Sequence, residues 1–143
     1  MADAGPSPIA ENGYMHQLRE TLSQYFNASA TVDLPLLWQN MPLPSPLPDQ
    51  GWVRFSCQLD RIYPLDLSHR HRGVHGRLTI VVATPKGTGM ETSDGLIDQM
   101  IRLFAVKSIG AIQLGRMVMD RPRDEQGYHL NGLTIRFHWI DAA

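Results

Sequence analysis

Residues 76–104, GRLTIVVATPKGTGMETSDGLIDQMIRLF, predict a strand, a turn and a helix in direct succession. The strand covers Arg77 to Ala83, where apolar and β-branched residues follow one another. Pro85 ends the strand because proline cannot donate a ladder hydrogen bond, and the two glycines behind it permit positive φ in the turn. The helix begins near Met90 and places an apolar residue on the same side every three or four positions.

The turn in this stretch resembles a phosphate-binding loop but has a different residue order. In such a loop the lysine follows the glycines, so that its amine reaches the outer phosphate. Here Lys86 precedes Gly87 and Gly89. Thr88 and Glu91 instead have the spacing of a capping box at a helix start. The sequence therefore predicts a structural turn and not a nucleotide site.

The segments on either side extend this unit into an α+β fold. The further elements are a first helix with its apolar stripe over residues 14–26, which starts at Ser7-Pro8 or at Asn12, a strand over Trp52–Asp60, and two closing strands over Ala111–Met119 and Tyr128–Ile140. We expect one domain over residues 1–143, with residues 1–8 flexible. Its sheet should be largely antiparallel or mixed, with two main helices packed on one face.

The strand Trp52–Asp60 alternates apolar and polar residues, as a strand with one buried face does. Cys57 falls on the apolar face beside Phe55. Because it is the only cysteine, no disulfide can form within the chain. A buried thiol is a poor nucleophile, so we expect Cys57 to be an inert core residue.

Three connecting segments have distinct compositions. Asn40–Gly51 carries proline at four alternate positions, which predicts an extended, semi-rigid strap. Arg61–Arg72 is polar and basic, and we expect a long hairpin loop there. Leu34–Gln39 has the pattern of a short strand interrupted by Pro35, which suits the edge of a sheet.

Charge and hydropathy exclude several classes of protein. The 143 residues include 13 basic and 14 acidic side chains, for a formal net charge of −1. A general nucleic-acid or membrane-surface binder needs a large positive field, which this chain does not have. The opening residues lack the features of a signal peptide, and the longest apolar run, Leu78–Ala83, is far shorter than the roughly 20 residues of a membrane span. We expect a cytoplasmic protein without a membrane partner.

The basic loop contains the residue types of two common kinds of site. Asp66, Ser68 and His69 are the residue types of a hydrolase triad, but neighbours on one loop do not readily adopt triad geometry. His69, His71 and His75 could hold a metal, yet no cysteine or carboxylate stands at a recognised ligand spacing beside them. Solvated hairpin histidines are the more frequent case. We therefore predict no catalytic residues, no metal and no cofactor, and we do not expect an enzyme.

Partner contacts should fall on residues that core packing leaves over. The basic loop and the proline strap are the exposed segments of this kind. The predicted interface residues are Arg61, Arg70, His71, Arg72, Pro44 and Pro46.

Four segments in order carry a resemblance to a known family. They are Leu36–Asn40 (LLWQN) followed by the strap and Gly51–Arg54 (GWVR), Gly73 with Leu78–Val82 (LTIVV), Pro85–Gly89 (PKGTG), and a helix ending in Leu103–Phe104. The chain is similar to the tail terminator, or tail completion, proteins of long-tailed bacteriophages. The resemblance extends from the first helix to the closing strand Leu133–Ile140, and it rests on the joint order of the motifs.

The resemblance implies a non-enzymatic structural protein of the virion. Members of this family form a ring, usually of six copies, on the head-proximal end of the tail tube, where they end tube polymerisation and provide the surface that joins the head. The implied partners are other copies of the chain, the major tail tube protein and the head-tail connector or neck proteins. Genomic DNA would meet the protein only by passing through the ring, and assembly would take place in the host cytoplasm.

Two alternatives remain open at the level of sequence. One is a small ligand-binding or enzymatic α+β domain that uses the Pro85–Gly89 turn with Asp94 or His75. The other is a different head-to-tail joining protein or a minor tail component. A ligand-binding domain should bind a metabolite as a monomer or dimer, whereas a terminator should form or join a ring.

Overall fold

The computed structural model describes residues 8–29, 34–39, 50–68 and 70–142. Within these ranges the chain has an α+β fold of two helices and seven strands, which confirms the predicted class. The elements are α1 (Pro8–Ser29), β1 (Leu36–Trp38), β2 (Trp52–Pro64), β3 (His71–Pro85), α2 (Met90–Phe104), β4 (Ser108–Ile109), β5 (Ile112–Met119), β6 (Arg123–Glu125) and β7 (Tyr128–Ala142). Neither helix in these ranges is long and apolar enough to cross a membrane.

The strands form one mixed sheet in the order β1-β2-β3-β7-β5-β4, and β6 pairs with the beginning of β7. The edge strand β1 lies parallel to β2, and the remaining pairs are antiparallel. At the centre, β3 and β7 pair along their whole length, from His71 opposite Ala142 to Pro85 opposite Tyr128. The predicted edge position of the strand that follows Pro35 is therefore confirmed.

Both helices pack on the same face of the sheet, as predicted. Phe55 of β2 is fully buried at the centre of this layer and makes edge-to-face contacts with Phe26 of α1 and Phe104 of α2, at ring-centroid distances of 5.4 and 5.7 Å. Trp38 of β1 closes the same cluster from the edge. Aromatic pairs of this geometry contribute about 0.5–1.5 kcal/mol each beyond their burial. The cluster fixes both helices against β2.

The start of α2 corrects one detail of the sequence analysis. The predicted capping box of Thr88 and Glu91 does not form, because Gly89 is the N-cap and no side chain bonds the first helical amides. The hydroxyl of Thr88 instead donates to the carbonyl of Pro85 at 2.8 Å, within the turn. A threonine hydroxyl that closes a local turn is not available to cap the helix. The predicted inward face of α2 is confirmed by the buried side chains of Ile97, Met100 and Phe104.

The predicted long loop over Arg61–Arg72 is wrong in extent. Strand β2 continues to Pro64 and β3 already begins at His71, so much of the predicted loop is strand, and residues 65–68 and 70 are the described residues between the two strands. A bulge between Leu59 and Arg61 shifts the register of the pair without ending it. Polar residues there face solvent on one side of a paired strand, which the sequence pattern alone does not distinguish from a loop.

Helix α1 begins at Pro8, one of the two predicted starts, and is broken at Gly13, whose φ of 78° is not helical. The segment between the closing strands contains the short strand β6, which was not predicted. Of residues 1–8, predicted to be flexible, Pro8 is the first residue of α1 and residues 1–7 lie outside the described residues, as does the proline strap over 40–49 with Pro44 and Pro46. Gly51, at the end of the strap, has a φ of 101° and lies so close to Ala83 that a Cβ would be 2.0 Å from its carbonyl oxygen.

We predict that the thiol of Cys57 reacts slowly in the native protein. The residue is only 5% exposed, and burial raises the pKa of its thiol to about 12, although Arg19 nearby opposes the shift. A maleimide or a disulfide reagent near neutral pH should label native protein at least about a hundredfold more slowly than denatured protein, because the thiolate is the reactive form. Equal rates in the two states would contradict the burial of this strand face.

Candidate functional site

The paired strands between Arg61 and Arg72, with the loop over residues 65–70, form a projection that we call the hairpin arm. Four predicted interface residues lie on it, namely Arg61, Arg70, His71 and Arg72. The arm is built on Gly73, where a Cβ would lie 2.5 Å from the ring of Tyr63. The hydroxyl of Tyr63 in turn is 2.9 Å from Nε2 of His75. These contacts fix the side chain of Tyr63 over the sheet at the base of the arm.

The tip of the arm is organised around one carboxylate. Asp66 accepts hydrogen bonds from the hydroxyl of Ser68 at 3.0 Å, from the backbone N–H of Arg70 at 3.1 Å and from Nδ1 of His71 at 2.7 Å. The backbone N–H of Leu65 donates to the carbonyl of His71 at 2.8 Å. The bond from His71, with those from Ser68 and Arg70, lowers the pKa of Asp66 to about 2. The tip is thus an ordered turn.

Three large apolar side chains are exposed on this ordered arm. Leu67 is 100% exposed at the tip, and Leu65 and Ile62 are each 45% exposed. Ile62 lies opposite Val74, which is fully buried, so β3 is covered at this position while Ile62 on β2 is left exposed. Exposed apolar side chains scattered singly are normal, but a group of them on one projection is typical of an interaction surface.

The basic residues of the arm have different environments. The guanidinium of Arg61 lies 4.5 Å from the centre of the Tyr63 ring, on the sheet face that the helices leave open. The side chain of Arg70 is exposed and takes part in no ion pair with any residue that the structure describes. His71 is paired with Asp66. Arg70 is therefore the arm's cation that is open to a partner.

Arg72 is held by its own chain. It is half-buried opposite Asp141 of β7, and the side chains of Tyr14 and Asp141 raise its pKa. These contacts are looser than ion pairs or hydrogen bonds of normal geometry, because the Tyr14 hydroxyl has no hydrogen-bond partner within the described residues. A charge reversal at Arg72 would disturb the attachment of α1, so Arg70 is the better residue for testing the arm.

This segment contains the residue types that suggested a catalytic triad or a metal site. Ser68 donates its hydroxyl hydrogen bond to Asp66, and none of the histidines that the structure describes accepts it. His69 lies outside the described residues. Within the described ranges, no three His, Cys, Asp or Glu side chains are grouped so that they could hold a metal. The geometry found here is that of a turn.

The open face of the sheet carries a polar pocket of about 370 Å³. Its floor includes Thr79 and Thr134, whose hydroxyls are 3.2 Å apart, and Thr134 donates onward to Asp120 at 3.0 Å. Arg77 forms a two-pronged ion pair with Asp60, with both distances 3.0 Å. These polar groups satisfy one another, whereas the buried Nε of Arg54 on the same face has no hydrogen-bond partner among the described residues.

The glycine turn borders a second pocket, of about 320 Å³, which includes Asp124 and His129. The backbone N–H groups of Lys86 and Thr88 donate to the carbonyls of Gly127 and Pro85, at 2.9 and 3.4 Å. The amides of Lys86 and Thr88 are therefore not available to a phosphate, and the carboxylate of Asp124 in the same pocket would repel one.

The residues that the ligand-binding alternative combined are not brought together. His75 lies ten residues along β3 from Pro85, which corresponds to about 33 Å at the rise of a strand. Its ring is stacked near His138 instead. Asp94 is exposed on α2 and does not line the pocket beside the turn.

Comparison with known proteins gives information on the fold. No family model matches the chain, and no curated protein matches it either. Solved structures do match. One of them, whose name describes no function, superposes with a TM-score of 0.61 at 19% identity, over 85% of this chain and 89% of the other. A likeness at this level of identity shows a shared fold.

Sequence reasoning missed the apolar and acidic members of this region. Leu65 and Leu67 flank Asp66 in a segment that is otherwise polar. Two leucines inside a predicted loop could have indicated an exposed apolar surface. Asp141 and Tyr14 are distant in sequence from the arm, and only the β3–β7 register places Asp141 opposite Arg72. No local pattern could have indicated that neighbourhood.

We predict that the arm tip loses its order in acid. The lowered pKa of Asp66 means that its hydrogen bonds stabilise the tip fully above the ordinary carboxyl pKa, near 3.9, and that this contribution disappears as the pH falls from about 4 to 2. Amide exchange of Arg70 should accelerate, after correction for intrinsic rates, in that window. Asp66→Asn should show a mobile tip at every pH. A tip that remains equally protected at pH 2 would contradict the role of Asp66.

We also predict that the glycine turn binds no nucleoside triphosphate. Two of its amides, those of Lys86 and Thr88, are bonded within the chain, and Lys86 precedes the glycines, so its amine is not placed beyond a phosphate cradle. Titration calorimetry with ATP or GTP should give no binding at micromolar concentrations, with Lys86→Ala as the matched control. Micromolar binding that Lys86→Ala abolishes would contradict this interpretation of the turn.

Proposed function

We propose that this chain is a tail terminator protein of a long-tailed bacteriophage. In this proposal, copies of the chain form a ring, with six as the expected number, on the head-proximal end of the tail tube. The ring ends polymerisation of the tube protein and presents the surface to which connector or neck proteins attach. The protein performs no chemistry, assembles in the host cytoplasm and remains in the virion, where DNA passes through the ring.

The first support is the agreement between the ordered motifs and the fold. The segment LLWQN contains the edge strand β1, GWVR begins β2, and LTIVV lies in the middle of β3. The segment PKGTG forms the turn before α2, and the closing Phe104 of that helix packs on Phe55. Each motif therefore falls on a junction or a core contact, which explains why their order and spacing carry the resemblance.

The observation that carries the proposal is the exposed apolar tip of the hairpin arm. Leu67 is fully exposed on a turn that Asp66 holds in place, and the uncovered Ile62 and Leu65 continue the apolar surface toward the sheet. An ordered projection with this composition gains stability when a protein surface covers it. A ring-forming protein needs such a heterologous contact, in which one patch meets a different patch of the next copy.

We predict that the purified protein caps tail tubes and that Leu67 is needed for it. Added to polymerising tube protein, the parent should give shorter tubes with a ring at one end in negative-stain images. Leu67→Asp should cap at least about tenfold less efficiently, while its stability changes by about 0.5 kcal/mol or less because the side chain is exposed. Met90→Asp is the matched control, since Met90 is also exposed but lies at the first turn of α2, where an acid is favourable.

The outcomes separate the candidate functions. Tubes that grow to the same length with and without the protein would contradict a terminator. In phage assembly, loss of the protein should give overlong tails, whereas tails of normal length that fail to join heads would identify another head-to-tail joining protein. Binding of a metabolite by a monomer, with no effect on tubes, would favour the ligand-binding alternative.

A further inference from the structure

A small pocket lies at the end of the sheet where the hairpin arm begins. It has a volume of about 170 Å³ and is bounded by α1, by the turn between β4 and β5, and by the last residues of β7. Leu18, Ile112 and Trp139 give it apolar walls, and Asp141 contributes a carboxylate. We call it the Asp141 socket. Small-molecule sites usually measure about 300–1,000 Å³, so this volume suits a single side chain better than a cofactor.

The carboxylate in the socket is buried and incompletely bonded. Asp141 is 7% exposed, and its Oδ2 atom has no hydrogen-bond partner among the residues that the structure describes. Arg72 stands opposite it on β3 and interacts with it electrostatically, but the two do not form an ion pair. Buried carboxylates are normally paired and hydrogen-bonded. The socket is therefore suited to a donor group that enters from outside.

The chemistry of the socket selects a guanidinium on an aliphatic stem. The stem of an arginine covers apolar surface while its planar fork donates to a carboxylate, often through two parallel bonds. The hairpin arm carries such a group, because Arg70 is exposed and unpaired within the described residues. Leu67 lies three residues before it on the same ordered tip and can cover the apolar rim, which includes Ile140.

We propose that the arm tip of one copy docks into the Asp141 socket of the next, with Arg70 on Asp141 and Leu67 against Ile140. The arm and the socket are different surfaces of one chain, so an unreciprocated contact is heterologous and can be repeated from copy to copy, whereas a reciprocated one closes as a two-fold dimer. This contact adds detail to the proposed function, and the closed ring in particular rests on that function. The contact itself requires only two copies of this chain.

Cross-linking between differently marked copies tests the contact directly. Leu67→Cys protein is mixed with Ile140→Cys protein under mild oxidation, and both positions are exposed, so neither change should affect folding. We expect a disulfide-linked dimer from the mixture, and a ladder of higher oligomers from the Leu67→Cys/Ile140→Cys double variant. The native Cys57 is buried and should not interfere. Val118→Cys, at an exposed position of β5, replaces Ile140→Cys in the control mixture and should give only background.

Several outcomes would overturn the proposal. A double variant that cross-links only within one molecule means that the arm folds onto its own socket. Dimers that join two Leu67→Cys copies, with no Leu67–Ile140 dimer in the mixture, mean that two arm tips meet each other, and a double variant that stops at the dimer means that two copies exchange arms reciprocally. Yields equal to the Val118→Cys control, or a protein that remains monomeric throughout, mean that copies do not associate in this way, and the socket then serves another protein's basic side chain or none.

The charge pair has its own test. Arg70→Gln and Asp141→Asn keep size and polarity, and each should weaken self-association in sedimentation velocity by about 30-fold, which is the lower end of the effect expected from truncating a buried charged hydrogen-bond pair. Because the two side chains contact each other, the double variant should be no weaker than the stronger-affected single one. Losses that multiply would overturn the pairing. Arg121→Gln, at an exposed position away from the arm, serves as the control and should associate like the parent.

The two proposals can fail separately. Copies that cross-link between arm and socket but never cap tubes would support the contact and refute the terminator function. Tubes that are capped equally well by the parent, by Arg70→Gln and by Asp141→Asn would support the function and refute the contact.

Discussion

The pairing of β3 with β7 is the interaction on which the rest of the structure depends. The two strands match residue for residue over their whole lengths and join the early and late halves of the chain. Leu78, Ile80, Leu133 and Ile135 face the helices from this pair and are fully buried. Since no local turn connects the two strands, the gain from burying these side chains must offset the entropy of closing a long segment, which makes the pair the expected slow step of folding.

The two faces of this central pair have different roles. The helical face is apolar and closed, with Phe55 linking both helices to the sheet. The other face carries hydroxyls and an ion pair that bond to one another, and beside them a second buried apolar cluster of Leu37, Trp52, Val81, Ala83 and Leu130. β3 remains paired with β7 as far as His71, whereas Ile62 of β2 and the leucines Leu65 and Leu67 beyond it are exposed. The arm is thus a consequence of strand length. Its exposed leucines favour a role in assembly over a role in catalysis.

The socket follows from the same register. β7 ends beside the arm, which brings Asp141 opposite Arg72 and next to α1. A carboxylate buried there without a full set of partners is costly for an isolated chain. If an arginine from another copy completes the bonding, as we propose, the buried carboxylate makes the contact specific, because a wrong partner leaves its charge unpaired. The arm and the socket together would then determine on which side of one copy the next copy binds.

The sequence by itself determined the elements whose patterns are local. Alternation in β2, helical spacing in α2 and the proline that ends β3 identified these elements, the buried position of Cys57 and the α+β class. It failed where local patterns are ambiguous, as in the polar strand ends around Arg61 and the engaged hydroxyl of Thr88. Only the tertiary structure decided that Leu67 is exposed on an ordered tip, that Arg72 is held by its own chain while Arg70 is open, and that Asp141 lines a pocket. Those properties depend on strand register and on where helical cover ends, which are set by contacts between residues far apart in the chain.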